Sequence, residues 1–155
     1  MYQWTLLSRH PEYADQVAGW IFNQWVVDQD PEGYQKVLTK VLACTDPEPT
    51  PFMVLLLNGN NLIGIAEVKT HETSEDNDPR FWLDGVYVLP EYRGQGLAGQ
   101  LVRQALLQAK TVGVRKLYLR TLHLDGGLYA LAGFKPIEQG MFRGQPMLEM
   151  VAEIF

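Results

Sequence analysis

Apolar side chains return along this chain with a period near 3.6 in some stretches and near 2 in others, and the switch between the two predicts its elements. Residues 4–7 read as a short strand, and Ser8-Arg9-His10-Pro11 then opens a helical stretch reaching about Val27. Within it Tyr13, Val17, Trp20, Ile21 and Gln24/Trp25 recur at helical spacing. A second helix over 31–43 carries Tyr34, Val37, Leu38, Val41 and Leu42 on one stripe, with proline near its first turn. The Asp46-Pro47-Glu48-Pro49-Thr50-Pro51 stretch ends regular structure. Two apolar runs, 52–57 and 62–69, flank Asn58-Gly59-Asn60-Asn61 as a hairpin.

The polar, acidic stretch 71–80 reads as a mobile loop, and 81–89 as a strand whose apolar end, 86–89, predicts burial on both faces. Leu97, Leu101, Val102, Ala105, Leu106 and Ala109 describe a helix that Gly113 can end. A strand over 116–121, a short helix over 127–132 and strands over 134–138 and 147–152 follow. The order β-α-α-β-β-β-α-β-α-β-β predicts an α/β fold, a mixed sheet centred on a strand–helix–strand crossover at 81–121.

At 155 residues the chain fits one domain, 1–155. Its longest aliphatic run, 53–57, falls far short of the roughly 20 residues of a membrane span, so no membrane partner is expected. The lone cysteine, Cys44, cannot form an internal bridge and suits a reducing, cytoplasmic setting. A net charge of −5 argues against general nucleic-acid binding. Yet residues 92–124 hold six basic side chains and no acidic one, leaving 7 basic and 18 acidic residues elsewhere. That split suits a small polyanion on the basic segment and a cationic partner on the rest; a solvated basic helix face would produce the same count.

The most specific local pattern is Val88-Leu89-Pro90-Glu91-Tyr92-Arg93-Gly94-Gln95-Gly96-Leu97-Ala98-Gly99, a strand running through a glycine-rich turn into a helix. Unpaired N–H groups and a partial positive charge at a helix start favour an anion such as a diphosphate. Gly94 and Gly96 let the backbone approach it, and Arg93 adds a full charge. The turn lacks the Gly-Lys-Ser/Thr of nucleoside-triphosphate loops and the glycine spacing of dinucleotide folds. The three histidines (His10, His71, His123) and Cys44 have no metal-ligand spacing, so no metal is expected.

Arg93, Gly96 and Ala98 match the Gln/Arg-x-x-Gly-x-Gly/Ala signature of the GCN5-related N-acetyltransferases, the GNAT superfamily, which the segment resembles. Val88-x-Pro90 and Leu128-Tyr129-Ala130-Leu131-Ala132-Gly133-Phe134 resemble the same family, and the detailed likeness covers 81–136. The resemblance implies that acetyl-CoA lies where strands 81–89 and 116–121 splay apart. Backbone groups of Val86, Tyr87 and Val88 would pair with its pantetheine arm, and Arg93, Gly94, Gln95, Gly96, Leu97, Ala98 and Gly99 would hold its diphosphate. The product would be an N-acetylated primary amine, a small cationic molecule or a peptide amine, formed by direct attack in a ternary complex by a monomer or homodimer. The rival readings are a silent acyl-CoA-binding module and a protein-modifying acetyltransferase.

An alkyl amine with a pKa of roughly 10.4 is only about 0.04% neutral at pH 7, so transfer needs a base. Asp84 is the expected base: its strand parity matches Val86 and Val88, and its position resembles that of a glutamate in polyamine acetyltransferases of the family. Glu67 and His123 are the alternatives. The resemblance makes Tyr129 the acid that protonates the departing thiolate. The family's Asn before this tyrosine is missing from Thr121-Leu122-His123-Leu124-Asp125-Gly126-Gly127-Leu128. Trp20 and Trp25 either pack in the core or line an acceptor pocket.

Overall fold

The hydrophobic run at 52–57 becomes the middle of one half of the sheet, where both faces are covered and every residue is buried. This computed structural model describes residues 1–72, 79–142 and 144–154. Its strands are β1 (Tyr2–Leu6), β2 (Phe52–Asn58), β3 (Asn61–Glu72), β4 (Pro79–Val88), β5 (Lys116–Thr121), β6 (Lys135–Phe142) and β7 (Gln145–Glu153). The helices are α1 (Ala14–Ile21), α2 (Tyr34–Ala43), α3 (Leu97–Thr111) and α4 (Gly127–Leu131). The strands form one sheet in the order β1-β2-β3-β4-β5-β7-β6, parallel only between β4 and β5. The predicted element order and the α/β mixed sheet are both present. Among the described residues no helix is long and apolar enough to cross a membrane.

Two cores hold the layers together. On one face α3 lays Leu97, Leu101, Val102, Ala105 and Ala109 against Val54, Leu56, Ala66, Val68 and Leu83. On the other, Val17, Ala18, Val37 and Val41 of α1 and α2 meet Met53, Leu55, Leu57 and Ile65. Each buried leucine contributes about 1.5–3 kcal/mol by leaving water. The α3 contact is close at Gly64, where a Cβ would stand 2.9 Å from Leu101 Cδ1. Thus the helix that carries the glycine-rich turn is locked onto the sheet by side-chain packing.

Several boundaries differ from the sequence reading. The first helical stretch splits into short 3-10 turns at Leu7–Arg9 and Pro11–Tyr13, then α1, then a π-helical turn over Phe22–Val26 closed by Val27 N–H donating to Phe22 O at 2.8 Å. The second helix begins at Tyr34 rather than Pro31. The expected loop at 71–80 is shortened from both sides, since β3 runs to Glu72 and β4 starts at Pro79; residues 73–78 lie outside the described residues. β6 and β7 extend beyond their predicted limits because β6 is an exposed edge strand whose polar Glu138-Gln139-Gly140 hides the strand period. Burial of 86–89 on both faces is not found: Val88 is buried, while Val86, Tyr87 and Leu89 are half-buried.

The decisive irregularity is in β4. Glu67 pairs with Asp84 and Ile65 with Tyr87, so Ala66 alone faces both Gly85 and Val86. Gly85 sits at φ +61°, the left-handed conformation of a glycine bulge. The extra residue inverts the alternation. Asp84 therefore shares its face with Tyr87 and lies opposite to Val86 and Val88, which corrects the parity expected for an unbroken strand. Gly85→Ala places a Cβ in open space, 3.9 Å from that of Glu67, but in a disfavoured backbone well. It should lower the unfolding free energy by about 1–2 kcal/mol in urea titration, and an unchanged midpoint would refute the bulge.

Candidate active site

Strands β4 and β5 are paired only through Phe81 with Leu117 and Trp82 with Tyr118. Beyond that vertex they part, and among the described residues β4 continues as an edge without a strand partner on that side. Leu89 N–H donates to Ile63 O of β3 at 2.9 Å, so strand alternation turns the N–H groups of Val88 and Val86 toward the wedge. The carbonyl of Val88 is taken by Arg93 Nε at 2.8 Å, and the Arg93 guanidinium lies 5.3 Å from the Tyr87 ring centroid. Arg93 therefore staples the turn to the strand as well as charging it.

The turn then delivers a row of donors. Gly94 and Gly96 have φ of +83° and +76°, and a Cβ at either would meet nothing within 4 Å. Gly96 caps α3, and the first amide to find a backbone acceptor is Gln100, bonded to Gly96 O at 3.2 Å. Among the described residues the N–H groups of Gly94, Gln95, Gly96, Leu97, Ala98 and Gly99 have no acceptor. An open, glycine-walled row of amides at the start of a 15-residue helix has the donor chemistry a diphosphate requires. Gln95 at the tip is held by Tyr2, whose hydroxyl donates to Gln95 Oε1 at 3.0 Å, and Tyr2 stacks edgewise on Tyr92 at 6.5 Å.

Tyr129 sits on α4 beside the α3 core, half-buried, its ring edge-on to Phe134 at 6.2 Å. Among the described residues its hydroxyl has no hydrogen-bond partner. Burial, and then the negative charge of Asp84, push its pKa up, so the hydroxyl keeps its proton across the neutral range. Asp84 is in the site's field but on the opposite face of β4. Its side chain is 57% exposed, its Oδ2 accepts from Lys69 Nζ at 2.5 Å, and its Oδ1 accepts the Gly85 N–H at 2.8 Å.

Across the strand pair, Glu67 stands directly beside Asp84. Burial raises its pKa, Lys69 opposes the shift, and Asp84 adds to it. Its Oε2 accepts from the Cys44 thiol at 3.4 Å. Cys44 is fully buried and its pKa is pushed far up, first by that burial and then by Glu67, so the thiol stays a donor. His123 is exposed on the loop after β5, its backbone N–H bonded to Thr121 Oγ1 at 3.1 Å.

The rest of the Asp84 face is aromatic. Trp20 and Trp25 both reach the Tyr87 ring, at 5.4 and 6.2 Å. Five residues apart in an α-helix they would diverge by about 140°, and the π-helical turn between them narrows that offset. On the far side of the wedge Trp82, Tyr118, Arg80, Arg120, Phe142 and Glu149 form one interleaved cluster. Trp82 Nε1 is buried there without a partner among the described residues. The sequence reading missed this cluster. The available signal was the alternation in β5, where Leu117 and Leu119 face α3 and so turn Tyr118 and Arg120 the other way. Among the described residues no three His, Cys, Asp or Glu side chains gather as a metal site.

The linkage of Glu67 is testable. A carboxyl whose pKa is raised on folding stabilises the fold while protonated, and that contribution is lost as pH rises from about 4.3 through the folded value. The stability of Glu67→Gln relative to wild type should therefore improve between pH 4 and pH 8 in urea unfolding; a constant difference would contradict the burial of Glu67.

The family model described as acetyltransferase (GNAT) family matches residues 11–134. No curated protein matches the chain. Among solved structures, an aminoglycoside 6'-acetyltransferase type Ii superposes with a TM-score of 0.73 at 18% identity, over 100% of this chain and 97% of that one. A GNAT-family acetyltransferase from Streptococcus pneumoniae gives 0.74 at 15% identity, over 99% and 100%. Arabidopsis thaliana NAA60, solved with a bisubstrate analogue, gives 0.69 at 16% identity, over 99% and 98%. At these identities the likeness is one of fold.

Proposed function

We propose that this chain, which belongs to the acetyltransferase (GNAT) family, is an acetyl-CoA-dependent N-acetyltransferase that passes the acetyl group directly to a primary amine. The observation that carries the reading is the junction of two sets of backbone groups: the β4 edge beyond Trp82, which has no strand partner among the described residues and whose Val88 carbonyl is taken by Arg93, and the open amide row from Gly94 to Gly99. A pantetheine chain and a diphosphate are joined in one molecule, and these two sets are joined in one turn. Related folds have been solved with coenzyme A, as in an aminoglycoside 6'-N-acetyltransferase at 17% identity, and with acetyl-CoA, as in Arabidopsis thaliana NAA60 at 15%. The chain acts as a single domain, 1–155, and its buried, reduced Cys44 supports a cytoplasmic setting.

The thioester supplies the activated acyl group; the chain's own residues do the rest. The amides from Gly94 to Gly99, with Arg93 behind them, hold the diphosphate. Val86, Tyr87 and Val88 align the pantetheine arm through their main chain, and the Val88 N–H stabilises negative charge developing on the acetyl oxygen. Asp84 receives the amine's proton, through a bridging water where the short side chain falls short. Tyr129 gives its proton to the departing sulfur. Burial supports that role, because an acid must be protonated at the working pH.

Tyr129→Phe and Asp84→Asn should each lower kcat by roughly a hundredfold or more while acetyl-CoA affinity stays within several-fold by calorimetry; full activity in both would dismiss this acid and base. The wild-type rate should not fall on the alkaline side until above the ordinary tyrosine range, about 10. Gly96→Glu should abolish acetyl-CoA binding through repulsion and obstruction in a protein that still melts cooperatively, and unchanged affinity would remove the turn from the site. Acetyl-CoA binding without release of free CoA in the presence of any amine or peptide would favour the silent module.

A further inference from the structure

Past the vertex at Trp82 and Tyr118, the two diverging strands carry opposite charges at equal depth. Asp84 stands two residues beyond Trp82 on β4 and Arg120 two residues beyond Tyr118 on β5, and the parallel register makes the positions equivalent. Each keeps the face of the vertex residue behind it, because the Gly85 bulge comes only after Asp84. That face is the one turned away from α3.

Arg120 is held at its Nε and remains partly exposed. Its Nε donates to Glu149 Oε1 at 3.3 Å, and the Glu149 side chain is only 7% exposed. Its guanidinium carbon lies 3.8 Å from the Phe142 ring centroid and 4.8 Å from that of Trp82. Among the described residues the two terminal nitrogens have no partner, and the side chain is 39% exposed. A guanidinium fixed through Nε and packed over two rings loses little further freedom when its remaining N–H groups meet a planar carboxylate.

We propose that Arg120 is a specificity-determining residue for the acceptor, and that the acceptor is an amine that also carries a carboxylate. Its nitrogen lies at Asp84 and its carboxylate on the two terminal nitrogens of Arg120. The inference rests on the wedge being the acetyl-transfer site, and it narrows the acceptor from cationic amines to zwitterions. Asp84 and Arg120 stand at one register position on adjacent strands just beyond the vertex, so an acceptor with its two groups close together, as in an amino acid, suits the pair. A diamine would set its second ammonium against Arg120, which discriminates against it.

The test compares kcat/KM for matched pairs: L-phenylalanine with phenethylamine, L-histidine with histamine, and L-lysine with cadaverine. In wild type the acid-bearing member should be better by roughly tenfold or more wherever transfer is detected, Arg120→Met should pull that ratio toward one, and Arg120→Lys should restore part of it. A wild-type ratio at or below one overturns the proposal. Because Arg120→Met leaves buried Glu149 without this partner and can fail to fold, a second measurement uses wild type alone. The Arg120 Nε–Hε resonance, assigned with Arg120→Lys, is titrated with the same six compounds in the presence of CoA. A saturable shift with the amino acids and not with the amines supports the assignment, and an equal or absent response overturns it. Failure of acetyl transfer to every amine would sink the enzyme reading, whereas the titration still decides the acceptor.

Discussion

The structure depends on a parallel strand pair that stops after two residue pairs. A sheet interior does not tolerate unpaired backbone groups, because each orphaned N–H or C=O forfeits a hydrogen bond it had in water. Here the pairing of β4 with β5 ends at Trp82 and Tyr118, and the cost is confined to one edge by what surrounds it. β5 keeps its other edge fully paired, from Lys116 with Glu153 to Thr121 with Leu148, and β4 keeps its β3 ladder almost to its end. The vertex itself is clamped by Trp82 against Tyr118 on one face and by Leu83 and Leu117 in the α3 core on the other. The wedge is therefore a rigid gap with polar main-chain walls, which a ligand with alternating donors and acceptors can complete.

The glycine-rich turn is made rigid by different means. It has no helix-capping side chain and two left-handed glycines, a composition that by itself would leave it loose. Three contacts compensate. Arg93 ties it back to Val88, Tyr2 ties Gln95 to the first strand, and Asn58 Nδ2 reaches the Tyr92 hydroxyl at 3.4 Å. Because α3 is fixed by Leu101 against Gly64, the turn has stationary supports on both sides. Free donors thus point outward from a scaffold that does not need to reorganise to use them, which is the condition under which such donors bind an anion well.

The sequence and the structure agree where one local signal suffices. Periodicity located α1, α2, α3 and the strands that bury apolar side chains in the two cores, and the turn was legible because glycine, arginine and helix start are adjacent in the chain. Tyr129 was legible through the Gly133-Phe134 that follows it. What escaped was set by pairing between distant segments. Nothing near Arg120 announces that Phe142 will cover it or that Glu149 will hold its Nε, since both arrive from β6 and β7 and β6 lacks a clear strand period. The link between Cys44 and Glu67 likewise joins the end of α2 to β3.

The bulge at Gly85 shows how one residue decides which chemistry the two faces share. Without it, Asp84 would point with Val86 and Val88 into the α3 core, where a carboxylate beside Leu97 and Leu101 would be desolvated and unpaired. With it, the strand before the glycine presents Trp82 and Asp84 to one face, and the strand after it presents Val86 and Val88 to the other while keeping their N–H groups in the wedge. The bulge lies just beyond the last β4–β5 pair, at Trp82 and Tyr118. Separation of a charged face from an apolar face at this end of β4 therefore has its origin in one residue. A glycine is required because the bulge places its residue at positive φ, where a side chain is strained even though the space around it is open.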